Sequence, residues 1–192
     1  MAHMIRVAIV DDHPAVRLGL EAVLGSEPGL VPVGSAAAPD EVAPLIYRTR
    51  PDVVILDVHL PGRDGLSICR AIKADVLAPA VLLYTAYDDG TLAVPAIVAG
   101  ADGLLAKGSS SVELVDAIRS VASGRGALPA VSPRELRAAG RALDPQDLPI
   151  LGMLVNRTPR TEIAATLGLT GERLGRRLAA MLGRMRAHPA LP

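Results

Sequence analysis

The segment VVILDVHLPGRDG at residues 53–65 decides the fold class of this chain. It opens with an apolar run at residues 53–56, continues with Asp57, and reaches a loop signal at Pro61-Gly62. A short run that is apolar on both faces is typical of a strand buried inside a parallel sheet. Asp57 is therefore predicted to stand at the carboxyl end of a buried strand, which is where parallel sheets carry their ligand sites.

Strand and helix patterns alternate on both sides of this segment. Apolar runs predict strands at residues 5–10, 30–33, 53–56, 80–84 and 103–106. Helical patterns follow at residues 14–25, 39–49, 66–75 and 91–99, and a last one is capped by Ser110 with Glu113 and stops at Gly124. Five strand–helix units predict an α/β fold with a five-stranded parallel sheet covered on both faces. Pro44 and Pro95 lie inside two of these helical patterns and predict weak helices.

The residues that follow the predicted strands carry the chemistry. They are Asp11 and Asp12 after the first strand, Asp57 after the third, Thr85 after the fourth and Lys107 after the fifth. In a parallel sheet these positions meet at one edge, where three carboxylates stay ionised only beside a cation. Oxygen ligands favour Mg²⁺. With the metal and Lys107 neutralising charge and the Thr85 hydroxyl binding an oxygen, Asp57 is suited to accept a phosphoryl group.

These residues and their flanks resemble the receiver domain of two-component response regulators. The similar segments are VDDHP at 10–14, LDVHLPGRDG at 56–65, TA at 85–86 and GADG at 100–103 running to the lysine, and the likeness covers about residues 4–123. It implies a flavodoxin-like sheet, and it implies that Asp57 takes a phosphoryl group from a phosphohistidine on a sensor histidine kinase. It also implies that Asp12, Asp57 and the His59 carbonyl bind Mg²⁺ directly, that Asp11 acts through water, and that Thr85 and Lys107 contact the phosphate.

Two positions depart from that family pattern. Receivers usually have Tyr or Phe three residues before the lysine, and in the family this ring relays phosphorylation to the output face, whereas this chain has Leu104. The predicted helix before it holds Gly90 and Pro95, and an interior proline costs about 3 kcal/mol or more. We therefore expect intact phosphorylation chemistry with weak coupling to the rest of the chain.

Charge is divided unevenly along the chain. The 20 basic and 20 acidic residues cancel overall, but residues 1–126 carry a net charge of −5 and residues 127–192 a net charge of +5. This asymmetry predicts an acidic receiver module at residues 1–123 and a basic module at 143–192. Residues 124–142 are expected to form a linker that contains a short helix capped by Ser132 and Glu135.

The basic module shows the pattern of a helix-turn-helix. Helices are predicted at residues 145–156, 159–167 and 171–185, with Thr158 and Thr170 as caps. On the last helix the apolar residues Leu174, Leu178, Met181, Leu182 and Met185 form one stripe, and Arg173, Arg176, Arg177 and Arg184 lie largely off it. Arg173, Arg176 and Arg177 would then contact DNA phosphates and guanine edges. The alternative is an ordinary amphipathic helix with a solvated basic face.

Residues 143–185 also resemble the LuxR/NarL-type helix-turn-helix. LDPQD at 143–147 is similar to its opening Leu-Thr-Pro-Arg-Glu, and TEIA at 161–164 is similar to its Lys-Glu-Ile-Ala. Pro149 falls inside the first predicted helix, Gly175 falls in the recognition helix, and the family's fourth helix is expected to be absent. The resemblance therefore implies a small all-α output domain of degenerate helix-turn-helix type.

Together these features predict a two-domain response regulator that acts in transcription in the cytoplasm and is not an enzyme. The expected partners are a sensor histidine kinase and double-stranded DNA, with a homodimer among the expected assemblies. Cys69 is the one cysteine, and neither a membrane span nor a secretion signal is expected. Two alternatives stay open. One is an atypical regulator switched by a ligand or protein partner instead of phosphate. The other is an aspartyl-phosphate enzyme similar to haloacid-dehalogenase-like phosphatases, which need an Asp where this chain has His59.

Overall fold

The computed structural model describes residues 4–75, 77–86 and 91–187. These residues group into two compact units, each described below by itself. The first unit contains the described residues up to 86 together with Ala101–Leu128, and the second contains residues 91–100 and 129–187. The helix before Leu104 was expected in the sheet-forming module, but it groups with the C-terminal helices. Gly90, which was expected to weaken that helix, lies outside the described residues.

The secondary structure follows the predicted alternation. The strands are β1 (Ile5–Val10), β2 (Leu30–Ala36), β3 (Val53–Asp57), β4 (His59–Leu60), β5 (Arg63–Asp64), β6 (Ala80–Thr85) and β7 (Gly103–Ala106). The helices are α1 (Pro14–Ser26), α2 (Val42–Thr49), α3 (Gly65–Ile72), α4 (Ala93–Ala99), α5 (Ser111–Ala122), α6 (Pro133–Arg141), α7 (Leu148–Val155), α8 (Arg160–Thr166) and α9 (Gly171–Ala187). Short 3₁₀ turns at Pro39–Glu41 and Pro145–Asp147 precede α2 and α7.

The first unit contains a parallel sheet with the strand order β2-β1-β3-β6-β7. Residues 7–10 of β1 and 53–56 of β3 are at most 1 % exposed, because helices cover both faces of the sheet. The order reverses between β1 and β3, and ligands of open α/β sheets bind outside the carboxyl ends of the strands at this kind of switch point. β4 and β5 form a small separate hairpin directly after β3.

The predicted capping boxes are present. Oγ of Ser110 accepts a hydrogen bond from the Glu113 amide at 3.3 Å, and the Glu113 carboxylate accepts from the Ser110 amide at 2.8 Å. Ser132 and Glu135 make the same pair of bonds at the start of α6. These bonds lower the pKa of Glu113 and of Glu135, because they stabilise the ionised carboxylates.

The three prolines expected to lie inside helices are in first turns instead. Pro44 is the third residue of α2, Pro95 the third residue of α4 and Pro149 the second residue of α7. The first four amides of a helix have no intrahelical acceptor, so a proline there removes no helical hydrogen bond. The weakness expected for the helices with Pro44 and Pro95 therefore cannot come from a lost helical hydrogen bond.

The second unit packs α4 against α6, α7 and α9, and α8 against α7 and α9. Its centre holds apolar side chains that are at most 2 % exposed, namely Ile150, Leu151, Ile163, Leu174, Leu178, Met181, Leu182 and Met185. Oγ1 of Thr170 accepts from the Arg173 amide at 3.2 Å, as the predicted cap requires. The predicted Thr158 cap is wrong, because α8 begins at Arg160 with Pro159 in the capping position. None of the helices in the described part of the chain has the length and apolar character needed to cross a bilayer.

Candidate functional site

The sheet topology brings the predicted acidic residues to one edge. Asp11 follows β1, Asp57 ends β3, Thr85 ends β6 and Lys107 follows β7. Asp11, Asp57 and Thr85 are at most 2 % exposed. The Lys107 amide donates to the Thr85 carbonyl at 2.6 Å, which joins the ends of the last two strands. The edge therefore gathers two buried carboxylates, a hydroxyl and an ammonium group.

Lys107 is the cation of this cluster. Its Nζ lies 2.6 Å from Oδ2 of Asp11 and 2.8 Å from Oδ2 of Asp57. Burial alone would lower the pKa of Lys107, but the hydrogen bonds and negative charges of Asp11 and Asp57 outweigh it, so the pKa is raised. Lys107 is therefore held in its charged form between two buried carboxylates.

Asp12 adds a third carboxylate to the cluster, and His13 adds an imidazole. Asp11, Asp12, His13 and Asp57 each offer one ligand atom, and these atoms all lie within 4.8 Å of one another. The buried Oδ1 of Asp12 accepts no hydrogen bond from the described residues, although Nδ1 of His13 lies 2.8 Å away. One lysine cannot neutralise three carboxylates, so the donor set fits a divalent cation.

His13 lies beside this cluster, directly after Asp11 and Asp12 in the sequence. Its amide donates to Oδ1 of Asp11 at 2.8 Å, and its side chain is 66 % exposed. This hydrogen bond closes the turn that follows β1 and keeps His13 beside the carboxylates.

The hairpin after Asp57 is tied to the same carboxylate. The His59 amide donates to Oδ1 of Asp57 at 3.1 Å, while the His59 side chain is exposed. The hairpin pairs His59 with Asp64, and the Asp64 carboxylate accepts from the amides of Leu66 and Ser67 at the start of α3. The backbone amide of His59 thus lies beside the Asp57 carboxylate, and the metal role expected for the His59 carbonyl stays a prediction.

Gly65 lies against the backbone that carries Asp57, a role that the sequence did not indicate. A Cβ atom at this position would lie 2.2 Å from the Asp57 carbonyl oxygen and 2.8 Å from Cα of Val58. The Gly65 amide donates to the Val58 carbonyl at 2.8 Å. Only glycine allows α3 to start this close to the backbone that carries Asp57.

The predicted DNA-contact arginines do not share one environment. Arg173 and Arg176 are exposed, and Arg176 pairs with Glu172 one helical turn earlier. Arg177 is instead held by Asp147, which is 1 % exposed, with Nε of Arg177 2.7 Å from Oδ1 of Asp147. Arg184 also pairs with Asp147, and its Nη2 lies 3.1 Å from Oδ2 of Asp144. The structure therefore separates Arg177 from the two exposed arginines.

A polar cavity of about 340 Å³ lies over this arginine cluster in the second unit. Its lining includes Arg173, Arg176, Arg177 and Arg184 together with Asp144 and Asp147. The cavity shows that the four guanidinium groups lie near one another on α9, with two carboxylates among them.

Arg160 also has a role that the sequence did not reveal. It is the first residue of α8, and its Nη2 donates to the carbonyls of Val98 and Ala99 at 3.3 and 2.9 Å. These carbonyls end α4, where helical acceptors lack partners. The next residue, Gly100, has φ +85°, and a Cβ there would lie 2.3 Å from Nη2 of Arg160. Arg160 therefore caps α4 from another helix of the same unit.

Comparison of the sequence with known proteins finds a matching family model and similar regulatory proteins. The sequence model of the family described as response regulator receiver domain matches residues 7–119. The chain is 34 % identical to the DNA-binding transcriptional activator DevR/DosR of Mycobacterium tuberculosis, over 95 % of this chain and 88 % of that protein.

Two solved structures extend the comparison to the fold. A LuxR-family two-component response regulator from Aurantimonas sp. SI85-9A1 is similar with a TM-score of 0.61 and 35 % identity, over 73 % of this chain and 99 % of that one. The response regulator ChrA of a heme-sensing two-component system is similar with a TM-score of 0.55 and 28 % identity, over 96 % of this chain and 97 % of that one. The likeness to ChrA spans both units.

Proposed function

The chain belongs to the NarL/LuxR family of response regulators, with its receiver domain at residues 7–119. On this premise we propose that Asp57 accepts a phosphoryl group from the phosphohistidine of a sensor histidine kinase. We propose further that the C-terminal helices regulate transcription by binding double-stranded DNA. The observation that carries the proposal is the buried Asp57 carboxylate, 2.8 Å from Lys107 at the carboxyl edge of the sheet.

Asp57 is the nucleophile in this proposal. One of its carboxylate oxygens attacks phosphorus while the P–N bond of the phosphohistidine breaks. The electron pair of that bond goes to the imidazole nitrogen, and an acyl phosphate remains on Asp57. Lys107 then balances the charge of the phosphoryl oxygens, and the Thr85 hydroxyl donates a hydrogen bond to one of them.

The carboxylate cluster is suited to bind a cation. Asp12, Asp57 and the His59 carbonyl would hold Mg²⁺, with Asp11 acting through water, and the ion would neutralise charge on the phosphoryl oxygens. The chain's own contribution is to hold three carboxylates around one ammonium group, which keeps the site negative before the cation binds. The amide of His59 orients the Asp57 carboxylate within it.

DNA contact is assigned to α9. Arg173 and Arg176 are exposed and would pair with DNA phosphates. Arg177 stays in the proposed contact set, but its charge is shared with the buried Asp147, whereas the Glu172 partner of Arg176 is exposed, so we expect Arg177 to contribute less than the other two.

Intact-mass measurement after incubation with acetyl phosphate and Mg²⁺ tests the acceptor. We expect one base-labile phosphoryl adduct on the parent chain and none on Asp57→Asn. Asp52→Asn is the matched control, because Asp52 lies at the opposite end of the same strand and accepts a hydrogen bond from the Arg6 amide. A phosphoryl adduct on Asp57→Asn would refute the assignment.

A further inference from the structure

The backbone around His13 holds this residue at the edge of the carboxylate cluster. The His13 amide donates to Oδ1 of Asp11 at 2.8 Å. The His13 carbonyl accepts from the amides of Val16 and Arg17 at 3.1 and 3.2 Å in the first turn of α1. The imidazole is therefore attached at a fixed point beside the carboxylates, although the side chain itself is 66 % exposed.

The imidazole nitrogen lies at the distances expected between two ligands of one metal ion. Nδ1 of His13 is 2.8 Å from Oδ1 of Asp12 and 3.3 Å from Oδ1 of Asp11. Two ligand atoms at right angles around an octahedral ion of the size of Mg²⁺ are about 3 Å apart. The ligand atoms of Asp57 and these three residues all lie within 4.8 Å of one another. The spacing fits a ring nitrogen that shares one ion with the Asp12 carboxylate.

The contact between His13 and Asp12 is not a hydrogen bond. Oδ1 of Asp12 is buried and accepts no hydrogen bond from the residues that the structure describes, although Nδ1 of His13 is 2.8 Å away. A buried polar atom without a partner is costly, and a ring nitrogen that faces it without hydrogen-bond geometry does not lower that cost. A cation bound by both atoms would give the oxygen its partner.

A ring nitrogen changes which divalent ion the cluster prefers. Mg²⁺ takes oxygen ligands, whereas imidazole nitrogen is a usual ligand of first-row transition ions. Carboxylates bind both kinds of ion, so they do not discriminate strongly between them. The imidazole is therefore the group of this cluster that would set the choice of ion.

From these contacts we infer that Nδ1 of His13 is a direct ligand of the cation at the Asp57 cluster and makes the site prefer a first-row transition ion to Mg²⁺. The inference rests on the proposed function, which places a divalent cation at this cluster, and adds a ligand to that cation. The imidazole takes a coordination position that water would otherwise fill. Asp12, Asp57 and the His59 carbonyl keep the roles proposed above.

Mn²⁺ bound to the whole chain is the probe, because its unpaired electrons report which nuclei are coordinated. Electron spin echo envelope modulation should show strong coupling to one imidazole nitrogen in the parent chain. Isotopic labelling of the histidine ring nitrogens should change this coupling, which separates the ring from backbone amides. The coupling should disappear in His13→Ala. His188→Ala is the matched control and should keep it, because His188 lies outside the receiver domain at residues 7–119.

Isothermal titration calorimetry measures the choice of ion. His13→Ala should lower the affinity for Mn²⁺ at least about fivefold and the affinity for Mg²⁺ less than about twofold, because Mg²⁺ gains little from a nitrogen ligand. The substitution leaves the start of α1 intact, since the His13 side chain makes no capping hydrogen bond there.

The outcomes separate this inference from the proposed function. A parent chain that binds Mn²⁺ without coupling to a ring nitrogen, or a His13→Ala variant that keeps the coupling, would overturn the inference and leave the proposed cation in place. An equal change in the affinities for Mn²⁺ and Mg²⁺ would also overturn it, because His13 would then act only as a charge beside the carboxylates. If the parent chain binds neither ion, the proposed cation and this inference both fail.

Discussion

Two buried acidic groups in this chain have opposite charge balances. At the sheet edge of the first unit, Asp11 and Asp57 share the one ammonium group of Lys107, and Asp12 adds a third carboxylate. In the second unit the buried carboxylate of Asp147 pairs with two guanidinium groups, those of Arg177 and Arg184. The first group has fewer cations than anions, and the second has more.

Under the proposed function, this difference separates a reactive site from a structural one. A buried carboxylate is costly unless it is paired, and removing the partner of a buried pair leaves an uncompensated charge. Asp147 is satisfied within its unit and ties the turn before α7 to α9. The cluster at Asp57 keeps excess negative charge, which suits the proposed cation and phosphoryl group. The predictions below test this contrast from the largest expected effect to the smallest.

The largest effect is expected at Asp147. Asp147→Ala removes the carboxylate between Arg177 and Arg184, and we expect the free energy of unfolding to fall by about 2–3 kcal/mol. This is below the full cost of breaking a buried pair, because the two arginine side chains are 26 % and 35 % exposed. Urea unfolding followed by circular dichroism measures the loss.

Asp144→Ala is the control for this change. Asp144 also pairs with Arg184, but its side chain is 49 % exposed, so the loss should be at most about 1 kcal/mol. Equal losses in the two variants would show that burial of the Asp147 carboxylate does not strengthen its ion pairs with α9.

The second prediction separates the two exposed arginines, Arg173 and Arg176, from Arg177, which pairs with the buried Asp147. Arg173→Ala combined with Arg176→Ala should weaken DNA binding by about 30-fold, roughly 2 kcal/mol. The slope of log affinity against log salt should fall by about 1.8, since each lost phosphate contact removes about 0.9. Arg177→Ala should instead lower the stability of the chain and change the salt slope less. A larger change in slope for Arg177→Ala would reverse the assignment.

The third prediction concerns the cation. Asp12→Ala removes a proposed direct ligand, and we expect the affinity for Mg²⁺ to fall at least about tenfold, which corresponds to 1.4 kcal/mol. Isothermal titration calorimetry on the unphosphorylated chain measures this. Asp75→Ala removes an exposed carboxylate outside the cluster and should leave the affinity unchanged. An unchanged affinity in Asp12→Ala would place the cation elsewhere.

The fourth prediction is a stability change of opposite sign to the one expected for Asp147→Ala. In metal-free buffer, Asp12→Asn removes one of three crowded carboxylates and relieves their repulsion. We expect the free energy of unfolding to stay the same or to rise by up to about 1 kcal/mol. Urea unfolding in the presence of a chelator tests this. A loss of stability would mean that the cluster is balanced without a cation.

The smallest effect is expected at alkaline pH. The pKa of Lys107 is raised in the fold, so its stabilising contribution is complete below its ordinary value of 10.5 and is lost as pH rises through the higher folded value. The pKa of Tyr84 is also raised, mainly by burial, with Lys107 opposing the shift and Asp11 adding to it. Because burial favours the neutral phenol, its contribution is likewise lost above about 10.

Unfolding at pH 9 and pH 11 measures this loss. Lys107→Arg keeps the charge but does not titrate in this range, so it should lose less stability between the two pH values than the parent chain. Tyr84→Phe should also lose less, through the missing phenol. The Asp147 cluster has only arginine partners and should contribute nothing to the difference. An equal loss in all three chains would refute the role of the Lys107 pairs.

The expected weak coupling between phosphorylation and output stays a prediction. One of the two features from which it was inferred, Pro95, no longer supports it. Pro95 lies in the first turn of α4 and does not weaken the helix as expected. Leu104 still stands where the family carries an aromatic ring. The carbonyls that end α4 are bound by Arg160 of α8, a contact that no local pattern could indicate.

The sequence by itself determined the parallel sheet and the acidic edge. Apolar runs four to six residues long mark buried strands whatever surrounds them, and parallel strands place their carboxyl ends together. Asp11, Asp57, Thr85 and Lys107 were therefore predictable as neighbours. The capping boxes at Ser110 and Ser132 were also predictable, because both partners lie within one turn.

Tertiary structure alone decided which charged side chains form ion pairs with distant residues and at which residues the helices begin. Arg177 and Arg184 lie 30 and 37 positions from Asp147, and helical spacing shows only that the arginines avoid the apolar stripe. The helices α2, α4 and α7 begin so that Pro44, Pro95 and Pro149 fall in first turns, which the helical patterns of the sequence did not indicate. Local patterns report the spacing of residues along one element, whereas ion pairs, helix starts and cavities depend on which elements the fold brings together.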